Sequence, residues 1–562
     1  MRYFETFFRR WQALFGRLKA IDRFLLGALF AGVLFGSLGM GWGRYDCLNL
    51  DRMAFKSVMS PDRAPFEPAS FRKPPFYTYL MLVGARWPAE FVGRNLFFAS
   101  LDTRKEARLI LRTALARFWN LMMFAAVVGM VFSLAKQAYG PGAARVSAWV
   151  LATSAGFVPY QVYLTTDLAV VFMMMSVLFC AVRIVKSPDM GISILAGLLA
   201  GLCAAVKYNG LSIAVCLPLA HLLASRGNPV WACLRRPAAW LCGLSVPLGF
   251  LIGNPYAVLN FPKFREDFLY NYYVTPVYNG ASHGTGYLDF LRRFDEIFGR
   301  PGTLLLAVAV LLSLFAVLQA FRHGPSLQWK IWLLAAAAFG LYFLKIGAFP
   351  RMETRFVLPV APYFLLLASI GFPLLFRWRA ASVAVFSLVV AYNIASSWML
   401  AELFRKDPRM ELLGWADRHF GRKDVIETSG ACPQWRHLPD ARFTIHKMPS
   451  GLERKEIFSR MFANNPEMIA RVGRFESSED ISWFSPEARE ARRPRWIAWC
   501  TIDLESPARP YFDALEKGDS GYRIVFDRSS PSLPFWAYPR YTEFLWNRTV
   551  LWEREISEVN AP

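Results

Sequence analysis

Residues 43–82 read GRYDCLNLDRMAFKSVMSPDRAPFEPASFRKPPFYTYLML, and they separate two long apolar runs. The segment is too polar to cross a bilayer and too aromatic to be a slack linker. Asp46 and Asp51 lie in its first part, and Arg72 and Lys73 lie near its end. Apolar runs of about 18 residues or more are typical of transmembrane helices. These charged side chains are therefore predicted to lie at a membrane surface.

The composition indicates a membrane protein. The chain has 562 residues, of which 55% are apolar, and its mean hydropathy is +0.27. A net charge of +22 would suit a nucleic-acid partner, but basic residues also accumulate in cytoplasmic loops and beside lipid phosphates. We therefore predict no nucleic-acid partner. The first run, 24–42, is too long for a cleavable signal and predicts an uncleaved span with a cytoplasmic N-terminus.

The pattern as a whole predicts a polytopic α-helical membrane protein with about eleven transmembrane helices. The predicted spans are 24–42, 115–135, 145–163, 167–184, 190–206, 209–225, 237–253, 302–321, 331–348, 356–375 and 381–400. Residues 1–400 are expected to form the membrane domain, with a first extracytoplasmic loop at 43–112. Residues 401–562 are expected to form a soluble extracytoplasmic domain.

The distribution of basic residues predicts the orientation in the membrane. Five alternate turns are basic, as the positive-inside rule expects of cytoplasmic turns; they contain Lys136, Arg183 with Lys186, Arg235 with Arg236, Arg322 with Lys330, and Arg377 with Arg379. The polar turns YLTTD, KYNG and RMETRF are then predicted to face the extracytoplasmic side, together with the first loop and the loop after Asn254. We therefore predict a bacterial inner-membrane protein whose functional side and C-terminal domain face the periplasm; the membrane of the endoplasmic reticulum is the alternative location.

The C-terminal region reads as a small α/β domain. Strands are predicted at 423–426, 496–499 and 522–526, and a helix at 453–474. With about 160 residues, the region is long enough to bury its own core. Cys432 and Cys500 lie in it and could pair if the domain is extracytoplasmic, although sequence alone does not fix a pairing.

Three acidic residues are candidates for catalysis. Asp51 follows the first span, and Asp46 is its competitor; either could be merely a solvated loop residue. Asp167 ends the turn TTD and could equally be a helix-capping residue. Two acids on the same side of a membrane allow one to act as a general base while the other positions an acceptor or a metal ion.

Several cations on the same side could bind a phosphate. Lys207 and Tyr208 interrupt an apolar stretch, where a charge is costly without a partner, although a lysine at the end of a span can also reach the headgroups. Lys73 and Arg355 have the same two interpretations. Together these cations would stabilise a phosphate leaving group. His283 in a glycine-rich loop could be a ligand or a base, but loop histidines are more often neither.

Several separated words in residues 20–400 resemble one family. The first-loop aspartate followed by KPPFYTYL is similar to the pattern of GT-C membrane glycosyltransferases, which include protein O-mannosyltransferases and lipid A aminoarabinose transferases. TTDLAVVF, GLCAAVKYNG, NPYAVLNFPKFREDF and RFVLPVAPYF resemble further words of this family in the same order. Each word is weak alone, whereas the ordered set is fairly specific.

The resemblance implies a polyprenyl-phosphate-sugar donor, an inverting transfer and an acceptor that is a lipid, a glycan or a protein. Asp51 would be the catalytic base and Asp167 the second acid. Lys73, Lys207, Tyr208 and Arg355 would hold the donor phosphate. The resemblance leaves the need for a divalent metal ion open, because Arg52 and Arg72 occupy positions where the family has acidic residues.

A transporter or flippase of an anionic lipid-linked substrate is the alternative. That class favours charges near the bilayer midplane and paired repeats with broken helices. Here the charges lie at the ends of spans and no repeat is visible. A mere membrane anchor for the C-terminal domain would not need about eleven spans.

Overall fold

The computed structural model describes residues 22–43, 66–95, 101–225, 229–273, 286–321, 326–349, 352–375, 379–421, 424–428, 432, 444–447, 485–500, 509–518, 521–530 and 548–555. Asp46, Asp51 and His283 lie outside these ranges, as does the helix predicted at 453–474.

The membrane part is a succession of helices. Their bounds are α1 Arg23–Leu38, α2 Phe76–Met81, α3 Trp87–Asn95, α4 Leu101–Ala152, α5 Val158–Val162, α6 Asp167–Lys186, α7 Met190–Val206, α8 Cys216–Ala224, α9 Pro229–Leu234, α10 Pro237–Gly253, α11 Tyr256–Leu259, α12 Phe261–Tyr273, α13 Gly286–Arg292, α14 Phe294–Phe321, α15 Leu327–Ile346, α16 Thr354–Val357, α17 Ala361–Ala368, α18 Phe372–Leu375 and α19 Arg379–Arg405. Short 3-10 turns occupy Ala155–Phe157, Tyr208–Val215 and Leu358–Val360, and a π-helical turn occupies Leu82–Arg86.

Five helical stretches within the described ranges are long and apolar enough to cross a bilayer: Ala107–Ala152, Asp167–Lys186, Phe294–Gln319, Leu327–Ile346 and Ala380–His419. Five shorter apolar stretches accompany them: Arg23–Leu38, Met190–Val206, Tyr208–Ala224, Pro237–Gly253 and Thr354–Ala368. The predicted polytopic helical architecture is confirmed, and the count of eleven spans stays a prediction.

The region predicted as spans 115–135 and 145–163 agrees with the structure at its break and differs at its end. The range α4 consists of two helices that meet at Gly140 (φ 88°), which is followed by Pro141, and this break lies between the two predicted spans. Helix α4 ends at Ala152, and the chain continues through short helical turns. Gly156 lies there against the backbone of Ile297, where a Cβ would be 2.5 Å from the Ile297 Cα. This close contact needs a glycine, so the short turns pack directly against the backbone of α14.

Helices α7 and α10 are joined along a seam of small residues. A Cβ on Gly197 would lie 2.1 Å from the Cys242 carbonyl oxygen, and one on Gly201 would lie 2.0 Å from that of Val246. One on Gly253 would lie 2.5 Å from the Ala205 methyl group. Small residues let membrane helices approach closely. Since these contacts advance in the same direction along both helices, the helices are parallel and their C-terminal ends lie side by side.

The C-terminal part contains a five-stranded mixed sheet. The strands are β1 Val425–Thr428, β2 Thr444–Lys447, β3 Trp496–Cys500, β4 Tyr522–Ser529 and β5 Arg548–Arg554, and helices α20 Pro408–His419, α21 Pro486–Arg492 and α22 Arg509–Glu516 accompany them. The order is β2-β1-β3-β5-β4. Strand β1 runs parallel to β2 and β3, and β5 runs antiparallel to β3 and β4. The predicted α/β character and the three predicted strands are confirmed, whereas β2 and β5 were not predicted.

The sheet is connected to the membrane helices through Trp42, four residues past α1. The Trp42 indole Nε1 donates a hydrogen bond of 2.8 Å to Asp407 Oδ2. The guanidinium carbons of Arg117 and Arg409 each lie 5.9 Å from the Trp42 ring centroid. Apolar residues from α19 and the sheet, including Phe404, pack in the same cluster. The part of the chain that contains the sheet is therefore attached to the end of helix α1.

Candidate functional site

Asp167 is the first residue of α6, at the end of the turn YLTTD. Its side chain is buried, and Lys207 Nζ lies 2.7 Å from Asp167 Oδ1. Thr166 is the N-cap residue, so Asp167 occupies the first helical turn, where a negative charge is stabilised by the helix dipole. Lys207 ends α7 in extended conformation (φ −157°). The lysine that interrupts the apolar stretch thus finds its partner in a carboxylate of the neighbouring helix.

Arg355 enters the same group from the turn RMETRF. The Arg355 guanidinium forms an ion pair with Glu353, whose side chain is buried, and its charge also acts on Asp167. The Phe356 ring is shared by both cations, because Lys207 Nζ lies 5.6 Å and Arg355 Cζ 5.5 Å from its centroid. An aromatic face stabilises a neighbouring cation. The structure therefore brings together three of the predicted site residues, Asp167, Lys207 and Arg355.

Tyr208 connects this group to the end of the first loop. Its hydroxyl donates a hydrogen bond of 2.7 Å to the Phe71 carbonyl oxygen, and its ring packs edge-on against Phe268 at 5.1 Å. The Phe71 backbone N–H donates to Asp267 Oδ2 at 2.7 Å. Lys73 is exposed two residues further along. The peptide that carries Lys73 is thereby held beside the residue that follows Lys207.

Residues that follow α10 form polar contacts with the end of the first loop. Asp267 lies on α12 and also faces Arg72, whose Nε is 3.7 Å from Asp267 Oδ1. Asn260 Nδ2 donates a hydrogen bond of 2.7 Å to Glu67 Oε1. The aspartate of the segment FREDF, Asp267, therefore holds the end of the first loop in place through these contacts.

Sequence reasoning missed several polar residues of this region. Glu353 and Asp267 are buried acids that each pair with an arginine, and Asn209 Nδ2 donates to the Tyr342 hydroxyl at 2.7 Å. The signal for Glu353 was its spacing of two residues from Arg355 in a short turn. Nothing in the sequence points to Tyr342, which lies within an apolar helix.

The charges in the group are balanced. Lys207 and Arg355 face Asp167 and Glu353, so an incoming anion would share these cations with carboxylates. Within the described ranges, no three His, Cys, Asp or Glu side chains are grouped so that they could hold a metal ion. The divalent metal ion, the base role of Asp51 or Asp46 and the role of His283 stay predictions.

Comparisons with known proteins bear on the fold. Residues 112–253 match the model of the family described as dolichyl-phosphate-mannose-protein mannosyltransferase. This match covers Asp167, Lys207 and Tyr208. None of the curated proteins compared with the chain matches its sequence.

Two solved structures of ArnT from Cupriavidus metallidurans are similar over almost the whole chain. The structure bound to undecaprenyl phosphate has a TM-score of 0.50 at 14% identity, and the apo structure has 0.53 at 13%. Each similarity covers 96% of this chain and 98% of the ArnT chain. An oligosaccharyltransferase of Archaeoglobus fulgidus, in complex with zinc and sulfate, has a TM-score of 0.48 at 14% identity, covering 90% of this chain and 72% of its own. The chain therefore shares its overall fold with ArnT, and residues 112–253 are similar to the mannosyltransferase family.

Proposed function

We propose that this protein is an inverting glycosyltransferase that moves a sugar from a polyprenyl-phosphate donor to an extracytoplasmic lipid, glycan or protein. The observation that carries the proposal is the group of Asp167, Lys207 and Arg355 at the ends of membrane helices. The Asp167 carboxylate is buried, and buried ionisable side chains among membrane helices are costly and usually mark a functional site. The ArnT structure with the same fold contains undecaprenyl phosphate, which belongs to the proposed class of lipid phosphates.

In the proposed reaction, the acceptor hydroxyl gives its proton to the Asp51 carboxylate. The acceptor oxygen then bonds to the anomeric carbon from the face opposite the donor phosphate. The bond between that carbon and the phosphate oxygen breaks, and polyprenyl phosphate leaves with the electron pair. Asp46 is the alternative base.

Lys207 and Arg355 would stabilise the negative charge that develops on the departing phosphate. An ammonium group has three donors, so Lys207 can keep its bond to Asp167 while it donates to a phosphate oxygen. Asp167 would then act as the residue that aims Lys207. Lys73 and Tyr208 would complete the phosphate site from the first loop.

The proposed location is the bacterial inner membrane, with the site and the C-terminal domain in the periplasm. This orientation rests on the five basic turns, which the positive-inside rule assigns to the cytoplasm. The donor would reach the site from the outer leaflet, and the acceptor would approach from the periplasm.

Binding of undecaprenyl phosphate tests the phosphate site. Charge-assisted hydrogen bonds are worth about 1.5–3 kcal/mol, so Lys207→Gln and Arg355→Gln should each weaken binding by about 10- to 100-fold. Lys345→Gln is the matched control, because Lys345 is an exposed cation near the end of α15. Unchanged binding in both site variants would refute the phosphate role.

Transfer itself is tested by mass analysis of envelope lipids, glycans and proteins from a deletion strain. Complementation with the unaltered protein should restore one glycosylated product, whereas Asp51→Asn and Asp167→Asn should not. Full activity in both variants would remove the mechanism. Movement of a lipid-linked sugar across sealed vesicles without a covalent product would favour the transporter alternative.

A further inference from the structure

Cys432 and Cys500 lie side by side in the C-terminal domain. Cys500 is the last residue of β3, and Cys432 lies four residues beyond the end of the neighbouring parallel strand β1. Their Sγ atoms are 2.8 Å apart, and both side chains are buried. The carboxyl ends of two adjacent parallel strands thus bring together two thiols that are 68 residues apart in sequence.

We propose that Cys432 and Cys500 form a structural disulfide in the mature protein. The proposal rests on the extracytoplasmic placement of the C-terminal domain given under the proposed function, because disulfides form and persist in oxidising compartments. The other cysteines of the described ranges lie in the membrane part, at Cys180, Cys203, Cys216, Cys233 and Cys242. The distance of 2.8 Å between the two Sγ atoms identifies each of these cysteines as the partner of the other.

Oxidation removes one proton and one electron from each thiol and joins the two sulfur atoms. The electrons pass to a protein disulfide of the thiol oxidases in that compartment, which is reduced to two thiols. A mixed disulfide between the oxidase and one cysteine is the intermediate. Burial raises the pKa of the Cys500 thiol, and the adjacent Cys432 raises it further. Since the thiolate is the reacting species, oxidation should occur before the domain has closed over the pair.

The position of the pair suggests what the bond stabilises. Both cysteines belong to the apolar cluster that also contains Trp42, Tyr163 and Phe404. Arg409, the partner of Asp407, is close enough to act electrostatically on Cys500. The bond would therefore close the long segment between β1 and β3 at the place where the C-terminal domain meets the membrane helices. Closing long loops constrains the unfolded chain most.

Alkylation of native membranes tests the proposal on the unaltered protein. The protein is denatured in N-ethylmaleimide, reduced, and then labelled with a maleimide of larger mass. We expect two cysteines to take the second label, and we expect peptide mapping to assign them to positions 432 and 500. Labelling of both positions by N-ethylmaleimide before reduction would overturn the proposal.

Variants provide the second readout. Cys432→Ala and Cys500→Ala should each abolish the second labelling, whereas the control Cys233→Ala should leave two reducible thiols. Sugar transfer is measured in the same membranes. If both thiols are found reduced in native membranes and sugar transfer is still measured, the disulfide is refuted and the proposed function stands. If the disulfide is present but no sugar transfer is measured, the proposed function is refuted and the disulfide stands.

Discussion

Neutralising the Asp167–Lys207 pair one side at a time, and then together, separates its structural role from its functional role. The Asp167 side chain is 4% exposed and that of Lys207 22% exposed, with 2.7 Å between the charged atoms. Removing one partner of a buried ion pair costs about 3–5 kcal/mol, because the remaining charge is left uncompensated. Lys207→Met should cost about 3 kcal/mol, the lower end of this range, because the Asp167 carboxylate is buried but the Arg355 charge still acts on it.

Asp167→Asn should cost less than Lys207→Met, because the more exposed Lys207 ammonium can hydrate. The double variant should regain most of the stability, since replacing both charges of a buried pair with neutral groups is often close to neutral. The coupling between the two sites should therefore be about 3 kcal/mol, the upper end of the range for residues in contact. Sugar transfer should stay lost in the double variant, because the Lys207 ammonium no longer faces the phosphate.

The assay combines thermal unfolding of the purified protein in lipid nanodiscs with product formation in a complemented deletion strain. Lys345→Met serves as the control for removing an exposed lysine at the same end of the membrane helices. Recovery of transfer in the double variant would show that the pair is only structural. Equal stability of all four proteins would refute the burial argument itself.

Three further outcomes follow from other contacts. Asp407→Asn removes the charge that pairs with the fully buried Arg409 and the acceptor of the Trp42 indole, so unfolding of the C-terminal domain should become easier by about 3 kcal/mol, measured by limited proteolysis; unchanged protease resistance would contradict this. Gly201→Val should abolish accumulation of folded protein, because its Cβ would meet a carbonyl oxygen at 2.0 Å, whereas Gly243→Val on the partner helix has no atom within 4 Å and should accumulate normally. Tyr208→Phe should cost about 1 kcal/mol through the lost hydrogen bond and should weaken undecaprenyl phosphate binding, with equal affinity as the refuting result.

Much of the membrane fold could be predicted because long apolar runs report burial in lipid directly. The helices at 167–186, 190–206 and 237–253 agree with the predicted bounds to within two residues. The region after Ala152 could not be predicted in this way, because short buried turns are as apolar as a span. The close contact of Gly156 with Ile297 becomes visible in the folded structure alone.

The side of the membrane on which the site residues lie could be predicted, but the ion pairs between them could not. Charge asymmetry between loops placed Asp167, Lys207 and Arg355 on the same side of the membrane, and they do lie together. Which cation faces which acid depends on lateral helix packing, and the sequence carries no periodic signal for that. In the C-terminal sheet, the sequences of β1 and β3 are apolar runs typical of buried strands. Strand β2 has the sequence TIHK at Thr444–Lys447, which is not an apolar run.

The attachment of Trp42 has a consequence for exchanging parts between related proteins. Its indole is held by Asp407 and flanked by Arg117 and Arg409, and the chain continues from it towards Asp46 and Asp51. The C-terminal domain is thus not an interchangeable module, since the start of the segment that carries both aspartates is fastened to it. A chimera that joins residues 1–400 to a foreign C-terminal domain should therefore keep Asp407 and Arg409, because the contacts of Trp42 with them are otherwise lost.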